Sequence, residues 1–264
     1  CPKLIVDHRE YLSILRRLRA IPGVKRVFIR SGIRYDYLVR DPDETFFREL
    51  VKYHVSGQLK VAPEHCAPRT LAAMGKPPIE VYNKFSKRFY ELTKEAGKKQ
   101  YLVPYLMSSH PGSTLKDAVL LAEYLHKNKI RPEQVQDFYP TPGTVSTCMY
   151  YTGLDPYTLK PVFVEKAPEG KALQRALLQY YEPRNASKVI EALRKVHRED
   201  LIPVLTGRQG ASRPSNPRVG TPPARGPSPF AAARHSPRPA GGSSQHPRAG
   251  GKPPGPPQFR RRRK

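Results

Sequence analysis

The chain has 264 residues, and its 47 Lys and Arg against 22 Asp and Glu give a formal net charge of +25. No stretch reaches the 18 or more apolar residues of a membrane-spanning helix, so we expect no membrane partner. The three cysteines form no C-x-x-C pair, which argues against a disulfide framework and favours a reducing compartment. These features predict a cytoplasmic protein whose partners are anionic.

The C-terminal part of the chain differs in composition from the rest. Residues 207–264 hold 13 Lys or Arg and 13 Pro with no Asp or Glu, which leaves +12 for residues 1–206. Such a segment buries too little apolar surface to offset its chain entropy, so we predict a disordered basic tail. The closing run from Arg260 to Lys264 is able to hold phosphates by counterion release, which would give nonspecific nucleic-acid binding. A solvated extension without any specific contact explains the same charges.

The first third of the chain alternates helical and strand patterns. Residues 8–20 have apolar residues at helical spacing, and residues 24–29 form a short apolar run typical of a strand. A second helix is predicted to begin at Asp41, with Asp41 as N-cap, Pro42 at the first helical position and Glu44 two residues further on.

The alternation continues to residue 139. The predicted elements are a strand at 58–63, a helix ending at Gly97, a strand at 101–107, a helix started by a capping box of Thr114 and Asp117, and a strand at 135–139. Two further amphipathic helices follow at 171–181 and 187–197, the second with Asn185 as its cap. The order α-β-α-β-α-β-α-β requires right-handed crossovers and a parallel sheet with helices packed on it.

Polar residues follow each of the four predicted strands. In a parallel sheet the carboxyl ends of the strands meet at one edge, where ligands bind. The candidate site residues are Ser31, Arg34, Glu64, His65, His110, Gly112, Gln136 and Asp137.

Each member of this set also has a purely structural explanation. Adjacent Glu64 and His65 could perform acid–base chemistry, but such a pair is also a common hydrogen-bonded support at a strand end. The Pro-Gly turns at 111–112 and 142–143 lead to Ser or Thr caps, whose free backbone N–H groups suit an anion or a ribose. Capping alone accounts for these turns equally well.

The sequence contains none of the common metal-binding or nucleotide-binding motifs that would indicate a particular chemistry. The histidines show no metal-ligand spacing on one helix, and the sequence has no P-loop and no G-x-G-x-x-G. Cys148 could be a reactive thiol, although no basic group adjoins it in sequence, so an inert Cys is the simpler interpretation.

Several long strings resemble the YgiQ-type radical SAM proteins. They are SGIRYDY at 31–37, SGQLKVAPEH at 56–65, QYLVPY at 100–105, SSHPGST at 108–114, QVQDFYPTPGT at 134–144, STCMYYTG at 146–153 and KALQRALLQY at 171–180. The resemblance covers nearly all of residues 1–205 and leaves out the tail.

The resemblance implies a radical SAM enzyme with an α/β fold. It divides the chain into the C-terminal part of a partial parallel (β/α) barrel at 1–144 with about four strands, a mainly helical extension at 145–206 and the tail at 207–264. The implied cofactors are a [4Fe–4S] cluster and S-adenosylmethionine, and the implied partners are an unknown substrate and an electron donor. The family's C-x-x-x-C-x-x-C cluster loop is missing, so we expect the chain to be a fragment that is inactive alone.

The resemblance also suggests roles for the strand-end residues. Ser31 or Glu64 would bond ribose hydroxyls, Arg34 would pair with the methionine carboxylate, and the residues around His110 and Asp137 would face the adenine or the substrate. Two other hypotheses remain open. One is a nucleic-acid-binding protein that uses its basic body and tail, and the other is a half-barrel hydrolase that uses Glu64 and His65.

Overall fold

The computed structural model describes residues 3–133 and 135–207. Within them three parallel strands form one sheet in the order β1 (Gln58–Glu64), β2 (Tyr101–Ser108) and β3 (Val135–Asp137). The register pairs Gln58 with Tyr101 at one end of β1, and Ser108 with Asp137 at the carboxyl end of β2. Consecutive strands are parallel neighbours joined through helices, so the predicted α/β class is confirmed.

The helices connect and cover the strands. Their bounds are α1 Arg9–Ala20, α2 Tyr35–Leu38, α3 Thr45–Glu49, α4 Pro68–Ala73, α5 Ile79–Glu95, α6 Leu115–Lys127, α7 Val145–Thr152, α8 Pro168–Leu178, α9 Ala186–Lys195 and α10 Ile202–Thr206. A π-helical turn at Leu50–His54 continues α3, and short 3-10 turns occupy Pro183–Asn185 and Glu199–Leu201.

The prediction of four strands is wrong for the described residues, because residues 24–29 form no strand. The segment has no regular secondary structure, and Ile29 is buried, with its N–H donating to the carbonyl of His54 at 2.9 Å. This contact is to the end of the π-helical turn and not to β1, so the segment lies outside the ladder of the sheet.

One predicted helix cap is wrong, and a second has the predicted position without the side-chain hydrogen bond. Asp41 does not cap a helix, since α3 begins only at Thr45 and the Asp41 carboxylate instead accepts hydrogen bonds from the backbone and ring of His8. Asn185 occupies the N-cap position of α9 as predicted, but its side chain makes no capping hydrogen bond and donates instead to the carbonyl of Gln179 at 3.0 Å. By contrast, the capping box of Thr114 and Asp117 at the start of α6 is confirmed.

Two apolar clusters hold the described part of the chain together. The first joins α1, α3, the π-helical turn, β1 and α5 around Phe47 and Phe85, whose rings stack at 5.4 Å. The second joins α6 to α8, α9 and α10, with Leu125, Leu177 and Leu193 fully buried. The helices after residue 145 therefore pack on the α/β part, as their amphipathic pattern requires.

Two features bear on the other expectations. None of the helices in the described part combines the length and apolar character needed to cross a bilayer. The predicted disorder of the tail falls on residues that, apart from Gly207, lie outside those the structure describes, and the division at residue 144 stays a prediction.

Candidate strand-end site

The carboxyl ends of the three strands bring most of the predicted residues to one edge of the sheet. Glu64 is the last residue of β1 and His65 follows it, Ser109 and His110 follow β2, and Asp137 ends β3. Ser108 donates a hydrogen bond to the Asp137 carboxylate, which ties the ends of β2 and β3 together.

Two of these strand ends have an unusual backbone conformation. Glu64 has φ +64° and Ser109 has φ +58°, in the left-handed region that non-glycine residues rarely adopt. Such residues cost about 1–3 kcal/mol and concentrate at functional sites. Glu64 also follows a break in the β1–β2 register after Val61. Glu64 and Ser109 therefore have backbone conformations that their own conformational preferences disfavour, and the surrounding structure must stabilise them.

Glu64 belongs to a polar pair near the end of β1. Its carboxylate lies 3.2 Å from the Lys76 ammonium, which also donates to the carbonyl of Ala62 at 3.1 Å. Both side chains are about a quarter exposed, so each keeps access to solvent. Sequence reasoning missed Lys76, because it follows α4 with no motif around it.

His65 lies beneath this surface and is 1% exposed. The N–H of Ala67 donates to its Nδ1 at 3.0 Å, and its Nε2 lies 3.5 Å from the Ser113 hydroxyl. Burial lowers the pKa of His65 to about 4, against the opposing charge of Asp117. The ring is neutral at pH 7 and both of its nitrogens face protein groups, so this geometry favours a supporting role over acid–base catalysis.

His110 is buried and fixed at both ring nitrogens. Nδ1 donates to the carbonyl of Pro111 at 2.7 Å, so Nε2 accepts from the Ser146 hydroxyl at 2.8 Å. Burial lowers its pKa, although the bond to Pro111 and the charge of Glu64 oppose that shift. The ring also meets the edge of Phe138 at 5.0 Å.

A glutamine from outside the α/β part holds the loop after β2. Gln174 in α8 is 1% exposed. Its Oε1 accepts from the N–H of Ser109 at 3.0 Å and from the Ser113 hydroxyl at 3.2 Å, while its Nε2 donates to the carbonyl of Ser113 at 3.1 Å. The Ser109 hydroxyl is buried without a hydrogen-bond partner. Sequence reasoning missed Gln174, which occupies a buried position in an amphipathic helix.

Asp137 and Gln136 differ in their surroundings. The Asp137 carboxylate accepts from Arg175 of α8 at 2.6 Å in addition to its bond with Ser108. Gln136 is exposed on β3, and its side chain has no hydrogen bond to the described residues. Gln136 is therefore the weaker candidate of the two.

Gly112 has a structural reason for its identity. Its φ is +89°, and a Cβ built there would lie 2.9 Å from the Cβ of Ala73. Its N–H donates to the carbonyl of Phe163 at 2.7 Å. The turn therefore brings the end of β2 against α4 and against the segment before α8.

Ser31 and Arg34 precede α2 and not a strand of the sheet. The guanidinium of Arg34 makes two hydrogen bonds to Asp36 at 2.9 and 2.7 Å and lies 4.3 Å over the ring of Tyr37. Burial acts to raise the pKa of Asp36, but the bonds from Arg34 overcome it and the pKa is lowered. Arg34 is thus already paired, and Ser31 is exposed without a side-chain bond to the described residues.

One neighbour links this segment to Glu64. Burial, together with the charges of Asp36 and Glu64, raises the pKa of Tyr35 to about 12. The Tyr35 hydroxyl therefore stays protonated, and its response to both carboxylates places α2 close to the end of β1.

The described residues contain no group of three His, Cys, Asp or Glu side chains that could hold a metal ion. Burial raises the pKa of the Cys66 thiol to about 12, which disfavours the thiolate that metals require. Cys148 is exposed. These donors do not fit a [4Fe–4S] cluster.

Comparison with known proteins identifies close relatives of the chain. Residues 133–250 match a family model described as a domain of unknown function, DUF3362. The chain is 60% identical over 202 residues to a UPF0313 protein of Clostridium perfringens strain ATCC 13124, and 58% identical over 202 residues to a UPF0313 protein of Clostridium botulinum strain 657.

These matches cover 76% of this chain but only 30% and 32% of the two relatives. The chain therefore spans about a third of the length of the curated relatives it matches. Its close homologues are UPF0313 proteins.

Proposed function

We propose that the chain is part of a radical SAM enzyme and that its strand-end edge helps to hold S-adenosylmethionine. The observation that carries the proposal is the convergence of Glu64, His110 and Asp137 at one edge of a parallel sheet, with Glu64 and Ser109 in left-handed conformations. The UPF0313 relatives agree with the resemblance to YgiQ-type proteins, although their names state no activity.

The polar groups at this edge suit the zwitterionic end of S-adenosylmethionine. Its methionine part carries one ammonium and one carboxylate, and the Glu64 and Lys76 pair, about a quarter exposed, offers the complementary charges. Arg34 is a second cation for the carboxylate, but it would have to share its guanidinium with Asp36. The buried Ser109 hydroxyl is an additional donor without a hydrogen-bond partner among the described residues.

The described residues contain no group of three His, Cys, Asp or Glu side chains that could hold a metal ion, so in this proposal the cluster ligands lie outside them. The chemistry that S-adenosylmethionine and a reduced cluster supply together is reductive cleavage, which starts a radical reaction on a substrate. The role of this chain is then to bind and orient S-adenosylmethionine. His65 and Gln174 support the loops that do so.

The test is S-adenosylmethionine binding by the full-length polypeptide that contains this chain, measured by calorimetry. Glu64→Gln removes the charge next to Lys76 and keeps the shape of the side chain. We expect a loss of affinity of about tenfold or more, because a charged hydrogen bond contributes about 1.5–3 kcal/mol. Glu80→Gln is the matched control, since Glu80 is an exposed carboxylate at the start of α5. If both variants bind S-adenosylmethionine as tightly as the parent does, Glu64 is not part of the binding site.

A further inference from the structure

A cluster of aromatic and lysine side chains lies beside the strand-end site. We call it the Tyr150 surface and define it by Phe138, Tyr150, Tyr151, Lys166 and Lys171. The ring of Tyr150 lies 5.6 Å from Phe138 and 5.4 Å from Tyr151, which meets it edge-on. Tyr151 is 69% exposed, and Tyr139, which follows Phe138 in the chain, is 82% exposed, so one ring of the surface and one beside it in sequence are open to solvent.

The two lysines converge on the same ring. The Lys171 ammonium donates to the Tyr150 hydroxyl at 3.2 Å and lies 5.2 Å from the ring centre, while the Lys166 ammonium lies 5.7 Å from that centre. Neither lysine forms an ion pair with a carboxylate of residues 3–133 or 135–207. Their positive charges are therefore not neutralised by the protein around them.

The carboxylates near the Tyr150 surface have hydrogen-bond or ion-pair partners other than Lys166 and Lys171. Asp137 is paired with Arg175, and Glu169 is paired with Lys195. Glu165 accepts from the N–H of Ala167 at 3.0 Å. The surface thus presents aromatic rings and two lysines without a carboxylate partner among the described residues, in a chain whose formal net charge is +25.

We propose that the Tyr150 surface binds single-stranded nucleic acid. Exposed rings stack on unpaired bases and free lysines contact the phosphates between them, which is the combination that single-strand-binding proteins use. Phe138 connects this surface to His110 at the strand-end site. A bound strand would therefore lie next to that site. The proposal extends beyond S-adenosylmethionine binding and does not depend on it.

Other partners fit the surface less well. A membrane surface would be recognised by cations on an amphipathic helix, but only Tyr150 and Tyr151 lie on a helix, and that helix, α7, has eight residues. A duplex offers its phosphates but hides the faces of its bases, so it would use the lysines and leave the tyrosines without a role. Because the exposed tyrosines have a role only with unpaired bases, a single strand fits the surface better than a duplex or a membrane.

The experiment measures binding of the full chain to a fluorescently labelled 12-nucleotide RNA of mixed sequence by anisotropy, over a series of salt concentrations. Tyr139→Ala and Tyr151→Ala each remove one stacking ring, and we expect each to weaken binding about 5-fold or more. The double change of Lys166 and Lys171 to Ala should lower the slope of log affinity against log salt by about 1.4, because two phosphate contacts are lost.

Matched controls come from the opposite end of the sheet. Tyr101 is 54% exposed at the start of β2, and Lys98 is exposed just before it. Tyr101→Ala and Lys98→Ala should bind as the parent does, and Tyr139→Phe should retain binding because the ring is kept.

Two results would overturn the proposal. One is that the Tyr139 and Tyr151 variants bind as tightly as the Tyr101 control, which would leave the basic tail as the source of any affinity. The other is that the annealed duplex binds as tightly as the single strand. Single-stranded DNA of the same sequence shows whether the sugar matters, and either sugar preference is consistent with stacking on the tyrosines.

Discussion

The buried imidazole of His65 gives the fold a pH dependence. Its pKa falls to about 4 in the folded chain because burial disfavours the charged ring, whereas an unfolded histidine has a pKa of about 6.5. Between these values the unfolded state binds more protons, so the free energy of unfolding rises with pH in this window. The stabilisation is complete above about pH 6.5 and is lost as pH falls toward 4.

We expect His65 to contribute about 3 kcal/mol to the fall in stability between pH 6.5 and pH 4. Urea denaturation at a series of pH values measures this fall, and His65→Gln should show a smaller one over the same range. A His65 ring whose NMR signals titrate near pH 6.5 in the folded protein would contradict the account.

A second residue-scale prediction concerns Gly112. A side chain at φ +89° is strained, and the added Cβ would come within 2.9 Å of Ala73. We expect Gly112→Ala to lower the free energy of unfolding by about 2–4 kcal/mol. Chemical denaturation measures the loss.

Gly97→Ala is the control for this change, because Gly97 has φ +62° with no atom close to an added Cβ. We expect Gly97→Ala to lower the free energy of unfolding by less. This smaller loss measures the cost of a side chain at positive φ without the close contact that Gly112→Ala makes with Ala73. Equal losses in the two variants would show that the packing of the turn against α4 has no importance.

At the scale of elements, α8 acts as the support of the strand ends. Gln174 makes three hydrogen bonds to the loop at 109–113, and Arg175 beside it pairs with Asp137. Gln174→Ala would remove the side-chain partner of the Ser109 N–H and of the Ser113 carbonyl, both buried, so we expect a loss of about 2–4 kcal/mol.

The matched control is Gln179→Ala at the end of the same helix, where the amide donates at the surface to the carbonyl of Glu133. We expect this change to cost less than about 1 kcal/mol. Amide hydrogen exchange should also quicken at Ser109 in the Gln174 variant alone. Unchanged protection of Ser109 there would mean that α8 does not hold the loop.

The sequence predicted three strands of the sheet and the helices with strong periodicity, because those patterns depend on local spacing. It failed at residues 24–29, where an apolar run became a segment without regular secondary structure, bonded to the turn at His54. It also failed at Asp41, a good N-cap by type whose carboxylate is taken by the distant His8. In both places a contact with a residue distant in sequence determines the local structure, and the spacing of neighbouring residues does not predict such contacts.

The candidate site was predicted in part for the same reason. Glu64, His65, His110 and Asp137 follow strands, so topology alone places them at one edge. Lys76 and Gln174 reach that edge from other elements, and neither lies in a recognisable motif. The supporting residues of the site were therefore visible only in the folded chain.

At the scale of the whole molecule, an exposed apolar face and the length of the relatives bear on where the proposed reaction takes place. Ile14, Leu18 and Ile21 of the α1 region are 47%, 41% and 49% exposed and line a shallow apolar groove. Parallel sheets are normally covered, and the relatives are about three times as long as the matched region. We therefore propose that the radical SAM reaction takes place in the full-length polypeptide that contains this chain.

The most direct test of that account is anaerobic reconstitution of the full-length polypeptide with iron and sulfide, followed by an assay for reductive cleavage of S-adenosylmethionine. We expect about four irons per polypeptide and the formation of 5′-deoxyadenosine under reducing conditions. A polypeptide that binds no cluster, or that binds one without cleaving S-adenosylmethionine, would contradict the proposed radical SAM function.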